Sequence, residues 1–302
     1  EKGSPVASLV GAVKAMRDYR SQNGLPDGGI KIEFAEGTYN VTEGITLTAE
    51  DSGEEDKPVV FTGAKGAEVL FDGGITIKPS DFLPADDGFK SLLQTEEAKQ
   101  NVVMIDLAKA GCYDLNSTKE YLRKKSTEFN PNTSAESDYY RQELFVNGKR
   151  QSLARWPNET YCNPEIDREV GEYDSKDGYV LIYIPEKQAE LWRSVDKIEF
   201  YGLPVFEWAN TCLPDIDVSE EESALMFPVF KSDYGITSDC LYYVYNIPYE
   251  LDSPGEYYWD TKTNFLYYWP TEGFETAGIS FSQFAGVPFT LDGCSYISFE
   301  NL

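Results

Sequence analysis

The stretch GGIKIEFAEGTYNVTEGITLTAEDSG, residues 28 to 53, decides how the first part of the chain is read. It holds three short β-prone runs, IKIEF (30 to 34), EGTYNV (36 to 41) and GITLT (44 to 48). Gly, Asp and Ser corners separate them. PVVFTG (58 to 63) and AEVLFDGG (67 to 74) continue the rhythm. Strands this short, turning this regularly, predict the stacked coils of a β-solenoid rather than a flat sheet. In front of them Ser8 can cap one amphipathic helix. Its apolar positions Leu9, Ala12, Val13 and Met16 share a face, and it ends before Asn23-Gly24 and Pro26.

From about residue 79 the pattern changes. NVVMIDL (101 to 107) reads as a strand, and the Ser-, Thr- and Asn-rich segment from Asn116 to Asp138 as a long surface loop. In ELFVNGKRQSLARWPN (143 to 158), Asn147-Gly148 between two strand-like runs predicts a type I′ hairpin. Further runs at 179 to 185, 196 to 202, 224 to 230 and 241 to 247 suggest an antiparallel sandwich. The aromatic hairpin EYYWDTKTNFLYYWP (256 to 270) turns at Asp260 to Asn264, with core packing preferred over a sugar platform for its rings. Residues 278 to 302 return to the short strands of the beginning. The expected division is therefore 1 to 78, an inserted sandwich-like domain at 79 to 275, and a return at 276 to 302.

Composition narrows the chemistry. The chain has 302 residues, with 52 acidic and 26 basic side chains and a formal charge of −26. Such a surface disfavours nucleic acid and anionic membranes, while neutral partners such as sugars meet no such penalty. No apolar run is long enough for membrane insertion. There is no histidine, which removes the usual base of Ser and Cys nucleophile systems and the commonest zinc ligand. The five cysteines, 112, 162, 212, 240 and 294, are widely spaced without any CxxC and read as mostly buried thiols, ahead of a disulfide frame or zinc site. The acidic cluster of Asp215, Asp217 and Glu220 to Glu222 reads as a solvated loop, because it lacks the glycine and spacing of a calcium loop. No metal and no cofactor is expected.

Four motifs in order, GGIKIEFAEGTYNVTEGITLTAEDSG, EEAKQNVVMIDLAKAG, ELFVNGKRQSLARWPN and YNIPYELDSPGEYYWDTKTNFLYYWP, resemble the N-terminal half of bacterial right-handed parallel β-helix proteins related to glycoside hydrolases, which share the pectate lyase-like fold. The resemblance implies an all-β fold: the start of a right-handed parallel β-helix with an N-terminal capping helix and an inserted antiparallel β-sandwich-like domain. It also implies a secreted or cell-surface protein, acting on glycans as a glycoside hydrolase. Its catalytic coils would lie beyond residue 302, where the remaining β-helix of the full-length chain would follow. A non-enzymatic glycan-binding or structural module and a polysaccharide lyase are the alternatives. No catalytic residue is assigned.

The hairpin from 143 to 158 leaves two readings open. In one, Arg150 and Arg155 dock its face against a neighbouring domain, as their apolar flanks favour. In the other, Arg155, Trp156 and Asn158 border a glycan-binding cleft and are the candidate substrate-binding residues.

Overall fold

The structure is a computed structural model that describes residues 6–112, 143–162, 179–195, 198–203, 211–228, 240–284 and 286–302. The segment from Asn116 to Asp138, expected as a surface loop, lies outside the described residues. The described chain is mostly β, and it divides into two compact units, 1–75 with 282–302 and 76–281.

In the first unit the helix Leu9–Asn23 starts at Ser8, whose side chain accepts from the Gly11 N–H. It buries Leu9, Ala12, Val13 and Met16. The strands behind it pair in parallel across large sequence gaps. Ile30–Phe34 pairs with Val59–Gly63, Gly37–Asn40 with Val69–Asp72, and Ile45–Thr48 with Phe289–Asp292. Ile297–Glu300 then pairs with the free side of Val59–Gly63. Three successive strands are thus each repeated one layer on. The corner glycines show why the sequence needs them. A Cβ at Gly29, where φ is +82°, would lie 2.0 Å from the Pro58 carbonyl oxygen, and one at Gly44 would lie 2.1 Å from that of Val287. The core is aromatic along the stack. Phe61 is fully buried and packs against Phe289 at 6.0 Å and Phe299 at 5.2 Å between ring centroids.

The second unit is largely antiparallel. A six-stranded sheet runs in the order Arg155–Trp156, Leu241–Tyr245, Ile198–Leu203, Thr211–Val218, Ala224–Pro228, Tyr179–Tyr183. The helix Glu186–Trp192 delivers Trp192 into a core with Phe200, Tyr242 and Val244. A five-stranded sheet contains the aromatic hairpin Glu256–Asp260 and Phe265–Tyr268. There Tyr257, Trp259, Tyr267, Tyr268 and Trp269 are all buried, so these rings pack the protein and form no exposed platform.

The hairpin signal at Asn147-Gly148 reads out directly. Both residues have positive φ, 50° and 69°, as a type I′ turn requires. Asn147 also accepts from the Gly278 N–H through its side chain at 2.9 Å. Asn147→Ala is expected to cost about 1.5 to 3.5 kcal/mol, the sum of left-handed strain and one lost bond, and Asn147→Gly less. Chemical denaturation of the two variants checks this.

Candidate functional site

The strand Leu241–Tyr245 carries side chains on alternating faces, and its neighbours fix which face is which. Trp156, Val244 and Phe200 lie side by side in register, on the face that meets the core. The opposite face carries Arg155 beside Tyr245, and Tyr243 beside Tyr201. Tyr201 in turn lies beside Cys212 on the next strand. This second face walls an open cavity of about 560 Å³, bordered on other sides by Glu143, Arg150, Gln151, Ser152 and Tyr257.

The aromatic side chains stack across the strands like plates. Tyr201 and Tyr243 are 5.0 Å apart at 22°, Tyr161 packs on both, and the Arg155 guanidinium sits 3.7 Å over the Tyr243 ring. Burial, with neighbouring Tyr161 and Tyr243, pushes the Tyr201 hydroxyl up to about 12. It therefore remains a neutral phenol, able to donate, across the physiological range. At the rim Arg150 Nε pairs with Glu143 Oε1 at 2.7 Å.

Arg155 also shapes the segment that follows it. Its Nε donates to the Pro157 carbonyl at 2.8 Å and its Nη2 to that of Thr160 at 2.6 Å. Asn158 is exposed, and its amide donates to Asp252 Oδ1 at 2.6 Å and Ser253 Oγ at 2.9 Å. Behind this loop, Glu256 is only 5% exposed and its Oε2 accepts from the Asp252 and Ser253 N–H groups. Burial pushes Glu256 up to about 8 despite those bonds. Glu250, 6% exposed, accepts from Trp192 Nε1 at 2.9 Å, and burial pushes it up to about 7.

Of the three residues singled out from the sequence, Arg155 lines the cavity. Trp156 lies on the other face of the sheet, its ring edge-on to Trp192 at 5.6 Å. Asn158 is engaged with the 252–253 loop. The residues missed are Tyr201, Tyr243 and Tyr245. The period of two in LYYVY held the signal, since Tyr243 and Tyr245 share a face, but Tyr242 beside them obscures the alternation.

The cysteines form no disulfide; Cys112 and Cys240 are buried, whereas Cys162, Cys212 and Cys294, also expected to be mostly buried, are partly exposed. Among the described residues no cluster of three or more potential metal ligands occurs, and no helix is long and apolar enough to cross a membrane.

No protein-family model matches the chain, and no curated protein matches it. A solved structure described as "Glycoside hydrolase" is similar, with a TM-score of 0.64 at 20% sequence identity over 99% of this chain and 47% of that one. The likeness is one of fold. The chain spans about half the length of the solved structure it matches.

Proposed function

We propose that this chain is the N-terminal part of a secreted or surface-exposed carbohydrate-active protein, a glycoside hydrolase acting on complex glycans. In this reading the first unit opens a right-handed parallel β-helix whose catalytic coils lie beyond residue 302. Two findings support that architecture. The strands of the first unit repeat in parallel register, and the fold is similar to that of a glycoside hydrolase about twice as long. Ile297–Glu300 is also an edge strand with Phe299 and Leu302 exposed, a surface suited to a further coil.

The single observation that carries the glycan reading is the cavity walled by tyrosines. A sugar ring presents C–H surface and closely spaced hydroxyls. Aromatic edges and phenols meet the first, and the Arg150–Glu143 pair offers donor and acceptor to the second. Among its described lining residues Glu143 is the only carboxylate. Glycosidic cleavage ordinarily uses two. In this reading the cavity holds glycan, and the cleaving residues belong to the later coils. The same observation favours one second reading, a glycan-binding module without an enzyme. In either, Arg155 touches the ligand, while Trp156 and Asn158 position the loop that Arg155 braces. Neither reading involves nucleic acid or membrane insertion.

Titration with a panel of oligosaccharides is expected to show binding by the 302-residue chain and about tenfold weaker binding by Tyr243→Ala. The same chain is expected to show no turnover of aryl glycosides, whereas the longer protein hydrolyses glycan. Turnover by the 302-residue chain, abolished by one Asp or Glu substitution within it, would overturn the assignment.

A further inference from the structure

The chain carries two acidic side chains for every basic one, so a half-buried cation with no acidic partner is out of keeping with its surroundings. Among the described arginines Arg155, Arg20 and Arg193 are such cations, and of the three Arg155 lines the cavity. The Nε and Nη2 of Arg155 are taken by backbone carbonyls and its face by Tyr243. No carboxylate among the described residues pairs with the guanidinium, and Nη1 has no hydrogen-bond partner among them. Among the described residues, the charged side chains lining the cavity are Glu143, Arg150 and Arg155. Arg150 Nε pairs with Glu143 Oε1 at 2.7 Å, so of the two described lining cations Arg155 is the one without a carboxylate partner among the described residues, in a protein of formal charge −26.

Fixed geometry adds to this. The guanidinium is held by two carbonyls and a ring, so its free edge is already oriented and loses little freedom when an anion arrives. A planar carboxylate is the natural complement of such an edge. Long-range repulsion from the acidic surface is screened within about 8 Å at physiological salt, whereas a contact at hydrogen-bond distance is not. A polyanion would still meet that surface along its length.

We propose that this cavity takes a carboxylate-bearing sugar, an isolated uronate unit in an otherwise neutral glycan, with the carboxylate on the free edge of Arg155 and the ring against the tyrosines. This rests on the glycan reading of the same cavity and adds the charge of the unit it selects.

The test is calorimetric titration of the 302-residue chain with three probes: a neutral xylo-oligosaccharide, the same oligosaccharide carrying one glucuronate branch, and sodium acetate. The branched sugar is expected to bind at least tenfold more tightly than the neutral one, and acetate far more weakly than either. Arg155→Gln should bring the branched sugar down to the neutral level. Because that change also loosens the 157–160 loop, Glu143→Gln gives an independent arm. It removes the only carboxylate among the described lining residues and weakens the hold on the hydroxyls of both sugars alike, so the ratio of branched to neutral affinity should rise several-fold, a gain in selectivity that misfolding cannot produce. Equal binding of both sugars, or no gain in Glu143→Gln, would overturn the inference and leave the glycan reading standing. Acetate binding as tightly as the branched sugar would reduce the site to a simple anion site. Failure of both sugars to bind would end the glycan reading and this inference together.

Discussion

Trp192→Ala is expected to lower the unfolding free energy by about 4 to 6 kcal/mol. Trp192 is fully buried among Phe200, Tyr242 and Val244, and Trp156 packs edge-on against it. Truncation opens a large void there, which alone costs roughly 3 to 5 kcal/mol. It also removes the indole N–H from Glu250 Oε1, leaving a buried carboxyl without its donor. Trp192→Phe separates the two effects. It keeps much of the ring volume and loses the N–H, so a cost of about 1 to 3 kcal/mol is expected. Urea unfolding of the two variants measures both. A loss below about 2 kcal/mol for Trp192→Ala would mean that this ring does not organise the core of the second unit.

Stability should also fall as pH rises from about 5 to about 8.5, by an amount on the order of a few kcal/mol. The sign follows from the direction of the shifts. Glu250 and Glu256 are pushed up to about 7 and about 8 from an ordinary 4.5, so between those values the folded chain holds more protons than the unfolded one. Folding is therefore penalised progressively as pH climbs through that window, and the full penalty is present above about 8. Asp51 works in the opposite sense at lower pH. The Arg17 guanidinium holds it below the usual carboxylate range, so its contribution is present above about 4 and is lost as acid protonates it. Surface repulsion in this acidic chain also grows with pH, but salt screens it, whereas the two buried glutamates are screened much less. Urea unfolding at high salt should thus retain the slope, and Glu256→Gln should flatten its upper part. A stability that rises between pH 5 and 8.5 would contradict these assignments.

The short strands and corners of the first unit were legible because their requirements are local. Corners where another backbone passes within about 2 Å of a would-be Cβ admit only glycine, and Gly29 and Gly44 stand at such corners. The turn at Asn147-Gly148 is a similar case, since two successive positive φ values leave few residue choices. The cavity was less legible because it depends on register between distant strands. Arg155 and Trp156 look like one patch in sequence, yet strand alternation sends them to opposite faces, one to the cavity and one to Trp192. Tyr243 and Tyr201 come together only through pairing of strands some forty residues apart. Glu250 and Glu256 were hidden for a different reason. Among 52 acidic residues nothing local marks two whose carboxyls burial will push up.

The most direct measurement is the structure of the 302-residue chain crystallised with an oligosaccharide that titration shows to bind. A pyranose ring in the second unit, against Tyr201 and Tyr243 and within hydrogen-bond distance of Arg155, is the predicted result. Sugar bound in the first unit with this cavity empty would contradict the account.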